Sequence, residues 1–130
     1  MSKWEELDIE NKIVDILRCA ERHPEEHHFG LPFLTAYQLA IAYAQRYPHD
    51  VQTIGFPVGG EGIGQRNSLA QYLARELSRR IHSGSIRTIE GRFLSNQFLE
   101  QISFLNRNEV IVSSLTDTQY PLSMFRLITE

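Results

Sequence analysis

Ser68-Leu69-Ala70-Gln71-Tyr72-Leu73-Ala74-Arg75-Glu76-Leu77-Ser78-Arg79-Arg80-Ile81-His82-Ser83-Gly84 is the stretch whose reading decides the fold. Ser68 and Gln71 have the spacing of a capping box, in which each side chain bonds the other residue's backbone N–H, so a helix opens at about Ser68. Gly84 supplies the C-cap and ends that helix at about His82. On a helical wheel Leu69, Ala70, Leu73, Ala74, Leu77 and Ile81 fill one arc. Gln71, Arg75, Ser78, Arg79 and His82 fill the opposite arc, with Tyr72 at its edge. One side of this helix belongs in a core, and the other meets water or a polar partner.

Upstream lie two further helices. The first runs to about Arg22, with Ile13, Val14, Ile16, Leu17 and Ala20 on one face and Pro24 beyond its end. The second follows Leu34, where Thr35 and Gln38 repeat the capping-box spacing. Its apolar arc is wide, holding Tyr37, Leu39, Ala40, Ile41, Tyr43, Ala44 and Tyr47 and leaving Gln38, Gln45 and Arg46 as a polar strip. Such a helix should pack on two sides, at the centre of the fold, and stop at Pro48. Residues 51–58 read as a short strand weakened by Gly55 and Pro57, and residues 59–64 as a glycine loop.

Downstream of Gly84 the hydrophobic period changes. Residues 85–90 read as extended, and Ser95 as the cap of a short helical turn through Glu100. Residues 102–105 and 110–114 flank Asn106-Arg107-Asn108-Glu109, a β-hairpin signal, and a last strand covers about 122–128 after Pro121. The expected class is α+β: three main helices followed by a small antiparallel sheet, with the helices on one side of it. The 130 residues suit one domain, helical over about 1–83 and mainly strand over about 85–130. Three helices and then a hairpin loosely resemble a winged helix-turn-helix in the order of elements, with the third helix as reader and Asn106–Glu109 as the wing tip. A helix-turn-helix joins its last two helices by about 3–4 residues. Here a strand and a glycine loop would have to fit inside that turn.

The composition, 42% hydrophobic and 22% charged, is that of a globular protein. The single cysteine, Cys19, rules out an internal disulfide. The longest apolar run, Leu39 to Ala44, is far below the roughly twenty residues of a membrane span. The opening Met1-Ser2-Lys3-Trp4-Glu5-Glu6 reads as neither a signal nor a transit peptide, so a cytoplasmic location is expected.

The net charge of −3 conceals two opposed regions. Residues 1–28 carry eight acids and four bases, whereas residues 66–92 carry six bases and only Glu76 and Glu90 as acids. The first binding candidate is therefore the basic face of the third helix, Gln71, Tyr72, Arg75, Arg79 and His82, flanked by Arg66, Arg87 and Arg92. Arginines there suit phosphate contacts, and Gln71 suits a base edge. The same face also suits a protein partner or a second copy of the chain, with Trp4, Phe29, Phe33, Phe93 and Phe98 near connectors as apolar contacts.

A second candidate is a phosphate site at Gly60, Gly62 and Gly64, ahead of a capped helix. Its spacing matches neither a P-loop nor a dinucleotide fingerprint, and Glu61 opposes an anion. His23, His27 and His28 lie near Glu25 and Glu26, but Pro24 breaks the helix that would align them, so no metal centre is expected. Neither a nucleophile elbow nor a zinc-protease helix motif occurs, and no catalytic residue or cofactor is assigned. The expectation is a small non-catalytic binding or regulatory protein.

Overall fold

The computed structural model describes residues 2–20, 27–55, 68–114 and 122–128. Among them are five helices and five strands: α1 (Lys3–Glu6), α2 (Ile9–Arg18), β1 (Leu34–Thr35), α3 (Ala36–Arg46), α4 (Pro48–Ile54), α5 (Leu69–Ser83), β2 (Ile89–Leu94), β3 (Gln101–Asn106), β4 (Glu109–Ser114) and β5 (Leu122–Leu127). The class is α+β, as the sequence implies.

Several elements differ from the expectation. The first helix is split, because Asp8 adopts a left-handed conformation (φ +53°) between α1 and α2. Ser2 caps the short α1 by accepting a hydrogen bond from the Glu5 N–H. Residues 51–54 are helical rather than extended. Pro48 stops α3 and also opens α4, where its missing N–H costs nothing, and Gly55 (φ +90°) closes α4 in the left-handed region. Asp50 in the first turn of α4 suits the positive helix end. Residues 56–58, the glycine loop and Arg66 lie outside the described residues, as do residues 21–26.

The strands form two sheets, not one. β5 is central in a three-stranded sheet ordered β1-β5-β2, antiparallel throughout, while β3 and β4 form a separate hairpin. Strand β2 begins at Ile89 and so lies later than the sequence reading placed it. No helical turn follows Ser95. Its hydroxyl accepts from the Gln97 N–H instead, and Phe98 (φ +64°) leaves the right-handed region. The hairpin itself falls where the sequence puts it, with Asn106 paired to Glu109.

Helix α3 sits at the centre, packed against α2, α4, α5 and strands of both sheets. Its Thr35 cap forms the full capping box with Gln38, in both directions. One side of α3 gives Leu39, Ala40 and Tyr43 to a core shared with Ile9, Ile13, Ile16 and Leu17 of α2 and Leu69, Leu73 and Leu77 of α5. Another side gives Ile41 and Tyr37 to a smaller cluster under the hairpin, where the Tyr37 and Phe104 rings stack at 5.2 Å. The wide apolar arc thus reflects two separate clusters.

Polar staples fix the helices relative to one another. Tyr43, fully buried on α3, donates its hydroxyl to Asp50 Oδ2 on α4 at 2.7 Å, and Lys12 on α2 reaches the same oxygen at 2.6 Å. Lys3 donates to the Thr53 carbonyl at the end of α4. On the sheet, Arg126 pairs with Glu90, donates to the carbonyls of Phe29 and Leu31, and lies over the Phe33 ring. It holds the segment before β1 onto β5.

Candidate functional site

Helix α5 carries the site, and its cap geometry sets its phase. The Ser68 hydroxyl accepts from the Gln71 N–H at 3.1 Å, and Gly84 (φ +84°) closes the helix. Leu69, Ala70, Leu73 and Leu77 are buried against α3 and the sheet. Gln71, Arg75, Ser78, Arg79 and His82 are all exposed, with Tyr72 half-buried beside them. These residues recur at three- and four-residue steps, so they form one stripe along the helix.

The stripe is cationic but not uniformly free. Glu76 pairs with both Arg79 and Arg80, each at 3.0 Å. Arg80 is turned inward, only 15% exposed, with its guanidinium 4.5 Å over the ring of the buried Trp4. Arg80 therefore attaches α5 to α1, leaving Arg79, 66% exposed, on the outside. Arg75 makes no ion pair among the described residues. Burial, reinforced by the Glu76 charge, pushes the Tyr72 hydroxyl above its ordinary pKa, so it keeps its proton at neutral pH.

Two flanking arginines complete the surface. Arg87 follows the helix and donates to the Gly84 carbonyl. Arg92 on β2 pairs with Glu90 at 3.1 Å and remains largely exposed. Among the described residues no acid of α1 or α2 forms an ion pair with the stripe: Asp15 pairs with Arg18 on its own helix, and Lys12 pairs with Asp50. Between α5 and the sheet lies a groove of about 270 Å³, lined in part by Ser78, His82, Arg92 and Phe93.

The other expectations fare differently. Trp4 is core and not a contact residue, and Phe33 lies under Arg126, whereas Phe29, Phe93 and Phe98 are exposed. The hairpin turn does not flank α5. Asn106 accepts from Gln45 on α3, and the turn borders a groove with Ala44, Gln45 and Pro48, so residues 106–109 do not sit as a wing tip beside the third helix. Gly60, Gly62, Gly64, Arg66, His23, Glu25 and Glu26 lie outside the described residues. His27 and His28 stack on one another at 4.2 Å, with Phe29 edge-on to both. Cys19 is exposed, and its nearness to Arg46 raises the Arg46 pKa, so the neighbouring group is a cation that cannot act as a base. Ser123, which shares the α5 groove, carried no signal in the sequence, because only the pairing of β2 with β5 brings it there.

Comparison with family models, with curated proteins and with solved structures returns no match to this chain. No helix among the described residues is long and apolar enough to cross a membrane.

Proposed function

We propose that this chain is a non-catalytic nucleic-acid-binding protein that engages DNA through α5. The observation that carries the reading is the exposed stripe of Gln71, Arg75, Arg79 and His82, while Leu69, Ala70, Leu73 and Leu77 on the opposite face are buried in the core. In this reading Arg75, Arg79, Arg87 and Arg92 meet phosphates, and Gln71 reaches a base edge. The strand order β1-β5-β2, with β1 between α2 and α3 and β2 directly after α5, supports a winged-helix-like arrangement in which α5 is the reader. Helix α4 is then an insertion between the second and third helices of that arrangement, and the hairpin is displaced onto α3.

Equilibrium binding of a labelled duplex, read by fluorescence anisotropy, tests the proposal. Four phosphate contacts correspond to a slope of log K against log salt of about −3.6, hence about 150-fold weaker binding at 200 mM than at 50 mM salt. Undetectable binding at 50 mM, or binding indifferent to salt, overturns it.

A second reading, assembly with another protein or copy, is favoured by one observation: Leu105 and Val110 pair across the hairpin and are both exposed. Light scattering across a concentration series tests it, and a constant monomer mass would count against self-association.

A further inference from the structure

We infer that the groove between α5 and β2 seats an unstacked nucleobase, with Phe93 as the ring on which it stacks; this rests on the nucleic-acid reading above. The starting point is an anomaly in β2. Alternate residues of a strand share a face, so Ile89, Gly91 and Phe93 all lie on the side turned to the helices. Ile89 is 1% exposed, yet Phe93 is 65% exposed. A phenylalanine left in water forgoes the burial that its neighbour on the same face obtains.

The ground beside Phe93 is shaped for a flat ring. A Cβ at Gly91 would come within 3.1 Å of the Phe125 ring and 3.8 Å of Ile81 Cδ1. The missing side chain therefore lets Phe125 and Ile81 close together as an apolar floor. Hydroxyls of Ser78 on α5 and Ser123 on β5 line the groove, and both can donate to or accept from a base edge. His82 lines it as well, where a phosphate attached to the base would lie, while Arg92 borders it with its guanidinium paired to Glu90 on the opposite face of β2.

The volume, about 270 Å³, falls below the roughly 300–1,000 Å³ of sites for larger ligands and suits a small planar group. The charge of the surroundings selects among planar groups. His82 lines the groove, and Arg75 and Arg79 are exposed on the same helix, so a ring carried on a phosphate chain is favoured over a neutral or cationic aromatic. An unstacked base occurs in single strands and at bulged or kinked duplex steps, and both present the same face to Phe93.

The test uses the full chain with three oligonucleotides: a single strand, a perfect duplex, and a duplex with one bulged base. Each carries 2-aminopurine as the reporter base. Binding of wild-type protein should quench the reporter in the single strand, the bulged duplex, or both, and which of them responds identifies the source of the base. Phe93→Ala should weaken binding to the responding DNA by about 5- to 150-fold and abolish the quench, while leaving the salt slope unchanged. Phe93→Trp should restore both. Because Phe93 is exposed, both variants should keep the wild-type circular dichroism and Tm. Steep salt-dependent binding with Phe93→Ala within twofold of wild type on all three DNAs overturns the groove inference and leaves the α5 reading standing. Absence of binding to any DNA overturns both.

Discussion

Asp50→Ala should destabilise the protein by about 2–4 kcal/mol, because one carboxylate oxygen serves two partners from two other helices. Asp50 Oδ2 accepts from the Tyr43 hydroxyl at 2.7 Å and from Lys12 Nζ at 2.6 Å. A net hydrogen bond to a charged group contributes roughly 1.5–3 kcal/mol, and a buried donor left unsatisfied costs its desolvation, about 1–3 kcal/mol. Tyr43 is fully buried, and among the described residues its hydroxyl donates to Asp50, so the hydroxyl bears that cost. Lys12 is 26% exposed and can turn to water, which keeps the total below the roughly 3–5 kcal/mol of breaking a fully buried pair. Asp50→Asn preserves an acceptor for Tyr43 and removes only the charge, so it should cost less, about 1–2 kcal/mol. Urea denaturation followed by circular dichroism at pH 7 measures both. Equal losses for Ala and Asn would show that the Tyr43 hydrogen bond contributes nothing. A loss below about 0.5 kcal/mol for Ala would refute the staple altogether.

Four further outcomes follow from the same geometry. Burial and the Asp50 contact raise the Tyr43 pKa, so the unfolded chain loses this proton near pH 10 while the folded chain keeps it. That stabilisation is fully present below pH 10 and is lost above it at up to about 1.4 kcal/mol per pH unit; Tyr43→Phe should flatten this alkaline decline, as read from Tm against pH. Gly84→Ala should cost about 1–2 kcal/mol in urea denaturation, wholly from backbone strain at φ +84°, since an added Cβ meets nothing within 4 Å. Arg126→Met should speed amide exchange in residues 29–33 far more than in α5, because its guanidinium holds the carbonyls of Phe29 and Leu31. Arg80→Ala should lower stability by about 1 kcal/mol through its contacts with Glu76 and Trp4 and leave the salt slope of DNA binding unchanged, since it does not belong to the exposed stripe.

What could be read from the sequence depended on how local its cause was. Helix α5 was legible because the Ser68 cap, the Gly84 stop and the apolar arc all lie within one segment and agree. The exposed stripe followed from the same wheel. Helix α4 was obscured because Val51, Thr53 and Ile54 are β-branched and suggest a strand, while the stronger signals were Pro48 at the first helical position and Gly55 at the end. The separation of the hairpin from the β1-β5-β2 sheet was not legible. It depends on pairing between segments nearly a hundred residues apart, such as Leu34 with Phe125, which no local period encodes. The same holds for the α5 groove: Gly91, Ser123 and Phe125 acquire meaning only once β2 and β5 are aligned. The inward turn of Arg80 was likewise hidden, since its neighbour Arg79 has the same chemistry and only tertiary contact with Trp4 distinguishes them.

The most direct measurement of the α5 reading is the salt slope of duplex binding for wild type beside Arg75→Ala, Arg79→Ala and Arg80→Ala. Arg75 and Arg79 are exposed on the stripe, whereas Arg80 is committed to Glu76 and Trp4. The expected result is a slope reduced by about 0.9 for each of the first two and unchanged for the third. Three equal slopes, or a loss confined to Arg80→Ala, would contradict the assignment of α5 as the nucleic-acid-binding face.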